Sequence, residues 1–215
     1  MWQLFTAHQG RPVQKWTHYF PVYDRYFARW RAMPVTIVEI GVAQGGSLQL
    51  WKKYFGPRAT IVGLDIVPGY AFEESQIHVR IGDQSDVNFL QSVFNEFGPP
   101  DIVIDDGSHR MNDIWASFEF LYPVMSRDGI YVVEDLHTAY WDEFEGGLRR
   151  EGTFIERAKD MVDQLNARYT RGGLARSRFS ATTMSISFYD SMVVLEKGPV
   201  RYQEAMTMPP APSSV

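Results

Sequence analysis

A chain of 215 residues, 45% of them hydrophobic, can bury one substantial core and suits a single domain. It has no cysteine, which removes disulfides, thiolate nucleophiles, zinc fingers and iron–sulfur ligation, and leaves any metal to carboxylates and histidines, donors that suit hard cations. The formal charge of −5 with scattered basic residues speaks against nucleic acid, and no stretch approaches the ~20 apolar residues of a membrane span, so a soluble, cytoplasmic protein is expected.

In chain order, WTHYFPVYDRYFARWR (16–31) is aromatic-rich and predicted helical around Pro21; with the residues before it, it is expected to form a lid over about 1–33. VTIVEIG (35–41) is apolar almost throughout and reads as a first, fully buried strand. SLQLWKKYF (47–55) carries apolar residues at 48, 50, 51, 54 and 55, the period of an amphipathic helix. TIVGLDI (60–66) and IHVRIGD (77–83) follow as strands, and DVNFLQSVFNEFG (86–98) as a helix stopped by Gly98 and two prolines. DIVIDD is the fourth long strand, NDIWASFEFLYPVM (112–125) a helix, and GIYVVEDL (129–136) the fifth strand. TFIERAKDMVDQLNARY (153–169) is a long helix, whereas TTMSISFYDSMVVLEKG (182–198) is two strands joined at Tyr189-Asp190-Ser191. Short apolar runs alternating with helices predict repeated βα units on a mostly parallel sheet, closed by an antiparallel hairpin. One domain over 1–200 is expected, with 201–215 as a flexible tail.

Ligands of open α/β sheets bind outside the carboxyl ends of the strands, and the motifs of this chain fall at those ends. After the first strand, EIGVAQGGS (39–47) holds Glu39, Gly41, Gly45, Gly46 and Ser47; its spacing is not the G-x-G-x-x-G of dinucleotide enzymes, and it is equally compatible with an ordinary strand-to-helix turn. Asp65 ends the second strand, where a carboxylate can accept hydrogen bonds from both hydroxyls of a ribose, or else cap a turn. Asp83 and Gln84, in GDQSD, end the third, near where an adenine amine would fall.

These stretches, together with IDDGSH and YVVEDLHTAYW, resemble the class I S-adenosylmethionine-dependent methyltransferases, and in particular the metal-dependent sugar O-methyltransferases that act on macrolide antibiotics. The resemblance covers residues 15–198 and implies a Rossmann-like, seven-stranded, mostly parallel sheet with helices on both faces. It also implies S-adenosylmethionine held by Glu39, Gly41, Gly45, Gly46, Ser47, Asp65, Asp83, Gln84 and Asp106, and a homo-oligomer, dimer or larger. Length and the aromatic N-terminus are similar to the methylmannose polysaccharide 1-O-methyltransferases.

At the other end of the site, Asp105 and Asp106 are adjacent on a strand, so they point to opposite faces and do not act as a pair. The fifth strand ends in Glu134 and Asp135, which lets Asp106, Glu134 and Asp135 converge; three carboxylates without a cation repel, whereas with Mg²⁺ they supply part of an octahedral oxygen shell. Either acid pair alone reads equally as a helix cap. Glu134 and Asp135 follow Asp106 by 28 and 29 residues, offsets similar to the catechol O-methyltransferases, but where those carry a lysine base this chain has His109, as in the macrolide sugar enzymes. His109 is the expected base, with His137 as its rival; Tyr19, Tyr23, Tyr140 and Trp141 are expected to shield the site and stack on a pyranose. Asp105 is expected to be structural.

The resulting expectation is methyl transfer from S-adenosylmethionine to a sugar hydroxyl with Mg²⁺, on a mannoside or methylmannose oligosaccharide, or alternatively on the deoxysugar of a macrolide or similar product. An iron-dependent hydroxylase, as in proteins named cephalosporin hydroxylases, is disfavoured by the all-acid metal set.

Overall fold

The computed structural model describes residues 1–199; the expected flexible tail, 201–215, lies outside the described residues. A short helix α1 (Trp2–Thr6) is followed by an extended strap, a 3-10 turn Thr17–Tyr19 and α2 (Phe20–Phe27). The sheet then builds in βα steps: β1 (Val35–Ile40), α3 (Gly46–Phe55), β2 (Ala59–Asp65), β3 (Glu73–Glu74), β4 (Ile77–Ile81), α4 (Val87–Phe97), β5 (Ile102–Asp105), α5 (Met111–Val124) and β6 (Ile130–Val133). A 3-10 helix Leu136–Tyr140, α6 (Phe154–Leu165), α7 (Arg178–Thr182), β7 (Thr183–Tyr189) and β8 (Met192–Lys197) complete it.

The strand order is β3-β4-β2-β1-β5-β6-β8-β7. Strands β4, β2, β1, β5 and β6 pair in parallel, while β8 runs antiparallel to both β6 and β7. Among the described residues the sheet therefore has eight strands and not the expected seven. The addition is β3, a two-residue edge pairing antiparallel with β4 through Glu73↔His78 and Glu74↔Ile77, too short and too acidic to read as a strand from sequence. β6 also stops at Val133 rather than near 136, because Asp135 takes a left-handed backbone (φ 54°) that bends the chain out of the ladder.

Alternation along the strands sorts the apolar residues into two cores. Ile37, Ile61, Ile102, Ile104 and Val132 face α2 and α3, where Tyr23, Phe27, Trp51 and Phe55 pack together. Val38, Val62, Val103, Tyr131 and Val133 face α4, α5 and α6. Helices on both faces were expected, but the N-terminal lid was not a single unit. Tyr19, Phe20, Tyr23 and Phe27 are at most 2% exposed, so α2 is part of the first core, and only the strap before Thr17 lies across the carboxyl ends of the strands. The aromatic residues of 16–31 recur at helical spacing, and a one-sided aromatic face is buried more strongly against α3 than it would be over an open cleft.

Candidate active site

The order of strands reverses on either side of β1, which leaves a crevice between the loops after β1 and β5. Main-chain hydrogen bonds continue the ladder one step past the strand ends: Asp106 N–H donates to the Ile40 carbonyl and Glu134 N–H to that of Asp105, both at 2.9 Å. This carries Asp106 and Glu134 out side by side. Gly41 (φ 91°) is where glycine is required, since a Cβ there would collide with the Asp106 carbonyl.

On the first face, Glu39 is fully buried and accepts from the Ser47 hydroxyl at 2.6 Å. Lys15, contributed by the strap, places its ammonium 2.6 Å from Asp106 Oδ2, 3.0 Å from Glu134 Oε2 and 3.2 Å from Glu39 Oε1. Burial disfavours that ammonium, yet Asp106 and Glu134 outweigh it and hold its pKa well above the ordinary lysine value. Burial likewise raises Glu39, against the pull of Lys15, and pushes Glu134 up to about 8. Tyr23 donates its hydroxyl to Glu134, and Tyr19 donates to Asp135 Oδ1 at 2.8 Å while accepting from the Asp135 N–H.

Asp106, His109 and Asp135 each offer a ligand atom within 4.8 Å of the others. His109 Nε2 lies 4.0 Å from Asp106 Oδ1 and 3.9 Å from Asp135 Oδ2, and its Nδ1 has no hydrogen-bond partner. Both His109 (φ 58°) and Asp135 (φ 54°) hold left-handed backbones that cost non-glycine residues energy, and the turns they make aim the two side chains at each other. Such clustered outliers beside paired acids are typical of working sites.

Among the expected metal acids, Asp106 and Asp135 come together with His109, while Glu134 meets Asp106 across the Lys15 ammonium and accepts from Tyr23. One expectation is corrected here: Tyr19 and Tyr23 are not stacking surfaces, because they are buried in the first core and reach the acids with their hydroxyls. Tyr140 and Trp141 remain exposed at the rim, at 50% and 46%. His137 turns its Nδ1 to Ser191 Oγ at 2.7 Å, and its ring lies between Trp16 and Trp141, outside the acid group.

A cleft of about 170 Å³ opens beside these residues, lined by Gly41, Asp65, Asp83, Gln84, Gly107 and Ser108 among others. Asp65 Oδ2 accepts from the Val42 and Ala43 N–H groups and Oδ1 from Val67 N–H, so it shapes the loop as well as facing the cleft. Gln84 is buried; its Oε1 accepts from Ser108 N–H at 2.7 Å and its Nε2 donates to Asp105, tying the β4 end to the turn after β5. Asp83 accepts from the Ser85 N–H and hydroxyl. Gly45 and Gly46 do not line this cleft. A Cβ at Gly46 would press into the Arg11 and Pro12 carbonyls and one at Gly45 into the Phe72 ring, so their small size admits protein.

A second cleft of about 380 Å³ is lined by Lys15, Trp16, Tyr70, Asp106, His109 and Asp135 and shares Gly41, Asp65 and Gly107 with the first. Sequence reasoning missed Lys15 altogether. The available signal was charge balance: Glu39, Asp106, Glu134 and Asp135 end neighbouring strands, and buried acids need a cation from somewhere.

No protein-family model matches the chain. It is 38% identical over 208 residues to the 8-demethyl-8-(2-methoxy-alpha-L-rhamnosyl)-tetracenomycin-C 3'-O-methyltransferase of Streptomyces olivaceus, covering 91% of this chain and 53% of the relative. With the mycinamicin VI 2''-O-methyltransferase of Micromonospora griseorubida it shares 37% identity over 194 residues, 84% of this chain and 48% of that one. Among solved structures, the MycE methyltransferase of the mycinamycin pathway in complex with Mg, SAH and mycinamycin VI superposes with a TM-score of 0.79 at 34% identity, over 92% of this chain and 52% of the other. The fold is thus the Rossmann-like fold of class I methyltransferases. The chain spans about half the length of the curated relatives it matches.

Proposed function

We propose that this chain is an S-adenosylmethionine-dependent O-methyltransferase that uses Mg²⁺ and methylates a sugar hydroxyl of a glycosylated natural product. The observation that carries the reading is the convergence of Asp106, His109 and Asp135 in a cleft that shares Gly41, Asp65 and Gly107 with the adjoining cleft lined by Asp83 and Gln84. Relatives named for methylation of rhamnosyl-tetracenomycin and of mycinamicin VI support the deoxysugar acceptor of the sequence analysis over its preferred mannoside, which none of these relatives supports.

The residues fit both groups. The carboxylates of Asp106 and Asp135, with Glu134 beside Asp106, suit a hard divalent cation, and the ammonium of Lys15 among Asp106, Glu134 and Glu39 supports a cradle that accommodates positive charge. Asp106, Asp135 and the neighbouring Glu134 would hold Mg²⁺, whose chemistry there is to lower the pKa of an acceptor hydroxyl. Gly41, Asp65, Asp83 and Gln84 would line the nucleoside end of S-adenosylmethionine, which supplies an electrophilic methyl, and Glu39, bonded to Ser47, would answer its amino group.

His109 receives the hydroxyl proton at Nε2, the nitrogen turned toward Asp106 and Asp135, and those carboxylates stabilise the resulting imidazolium. Tyr19 holds Asp135 in place through two hydrogen bonds, so the acid cannot swing away from the histidine. Trp141 and Phe144, with ring centroids 6.1 Å apart and Phe144 6.5 Å from the His109 ring, form an apolar wall that excludes water and offers a face to a pyranose.

An iron-dependent hydroxylase would call for two histidines and one carboxylate, whereas this group has one histidine and two carboxylates. The test is methyl transfer from labelled S-adenosylmethionine to a panel of rhamnosyl and other deoxysugar glycosides and mannosides, with Mg²⁺ or EDTA. Labelled deoxysugar glycoside only with Mg²⁺ is the expected result. Full activity in EDTA would remove the metal, and labelling of mannosides alone would restore the other acceptor.

A further inference from the structure

The mechanism above leaves the buried charge beside the acids without a task. Lys15 has a side chain only 4% exposed, yet it belongs neither to a helix nor to a strand. It hangs from the strap, in which Pro12–Lys15 exchange no backbone–backbone hydrogen bond among the described residues. The strap is pinned upstream by side chains. Arg11 N–H donates to Gln49 Oε1 at 2.8 Å, the Arg11 guanidinium donates to the Gln44 carbonyl at 3.3 Å, and it lies 3.9 Å from the centre of the Phe72 ring. Between that anchor and the 3-10 turn at Thr17, the Pro12 carbonyl packs on Gly46 and the Trp16 ring lies edge-on to His137, and the three ion pairs of Lys15 are the charged ties.

Those ion pairs fall on the acids that the proposed metal site needs. The two shortest contacts, 2.6 and 3.0 Å, go to Asp106 and Glu134, the residues that main-chain pairing carries out side by side. Glu39, on the cofactor side, takes the third and longest at 3.2 Å. An ammonium 2.6 Å from Asp106 Oδ2 and 3.0 Å from Glu134 Oε2 occupies the space between the two acids where a cation held by both would sit, and two positive centres that close repel in a buried site.

We propose that Lys15 is a positioning residue that competes with the divalent cation: its ammonium holds Asp106 and Glu134 together when no metal is bound, and metal binding expels it and lifts the strap. The proposal rests on the metal reading above. It accounts for the deep placement of Glu134, which faces Lys15 and Tyr23 rather than His109. It also assigns a role to the lack of main-chain pairing in the strap, because a segment held by side-chain contacts can leave without unzipping secondary structure. With Lys15 gone, Trp16, which already lines the second cleft and is 53% exposed, moves with the strap at the acceptor side.

The competition has a sign that a merely structural lysine would not give. Removing a structural lysine loosens the acids and weakens metal binding; removing a competitor tightens it. Mn²⁺ binding to the full chain, followed by the electron paramagnetic resonance of the free ion, should be at least about tenfold tighter in Lys15→Met than in wild type, a gain of ~1.4 kcal/mol. S-adenosylhomocysteine affinity measured without metal should change less than that. In the same titration Asp135→Asn should weaken Mn²⁺ binding. Equal or weaker Mn²⁺ binding by Lys15→Met, with Asp135→Asn still weakened, overturns the role of Lys15 alone. Loss of Mn²⁺ binding in every chain overturns the metal reading and this proposal with it. A gain confined to S-adenosylhomocysteine makes the cofactor amine the competitor and also overturns the proposal. If Lys15→Met does not fold, wild type suffices. Trypsin cannot cut the Arg11–Pro12 bond, so cleavage between Lys15 and Trp16 reports on the strap, and Mn²⁺ should accelerate it severalfold. An unchanged or slower cut at that bond contradicts the expulsion of Lys15.

Discussion

Asp105 and Asp106 are neighbours, yet the sheet sends them into opposite environments. Asp105 turns to the second face, 1% exposed, where Ser117 donates at 2.6 Å, Gln84 at 3.1 Å and Tyr131 at 3.3 Å. Only neutral dipoles meet it, and burial pushes its pKa up to about 6. Asp106 turns to the first face and meets charge: Lys15, with His109 and Asp135 close by. A carboxylate surrounded by neutral donors is a fixed structural part, because nothing there changes charge. One among charged partners can exchange those partners, which is what ligand binding and proton transfer require.

That contrast can be broken from either side. The largest effect is expected on the charged side, where Asp106→Ala should lower methyl transfer by roughly three orders of magnitude or more, consistent with losing a metal-binding acid. S-adenosylhomocysteine affinity, measured by calorimetry, should stay within a few-fold. His109→Ala should lower kcat by about 10²–10⁴, the usual share of a general base, and a kcat equal to wild type would remove it from that role.

On the neutral side the effects fall on stability. Between pH 4 and 6 folded Asp105 keeps a proton that the unfolded chain releases, so stability falls as pH rises through this window, by up to about 3 kcal/mol. Denaturant titrations of Asp105→Asn across that range should lack this part of the slope; an identical slope in both proteins contradicts the burial argument. Ser117→Ala, which removes the shortest of the three donors, should cost about 1–3 kcal/mol at pH 7 and leave kcat per folded molecule unchanged. Smallest of all, Trp141→Ala at the rim should raise the acceptor KM by roughly 5–10-fold with little change in kcat, the signature of a lost stacking face.

Much of the fold was legible in the chain. β1, β2, β4 and β5 were bounded to within a residue or two, because continuous apolar runs between turn signals have few other solutions in a parallel sheet. The hairpin β7–β8 was equally plain from its alternation around Asp190-Ser191. The edge strand β3 was not, since two glutamates carry no pattern and pair only because β4 lies beside them.

In the site, alternation by itself separated Asp105 from Asp106, and the placement of acids at strand ends followed from local sequence. Which acids meet was decided by tertiary structure. His109 reaches Asp135 because two left-handed turns from distant loops face each other, and Tyr19 and Tyr23 touch the acids because α2 packs beneath them. Lys15 arrives from 91 residues before Asp106, on a strap without periodicity. Local chemistry writes strands, turns and the need for a counter-charge into the sequence; which cation answers that need depends on long-range packing, which no local pattern records.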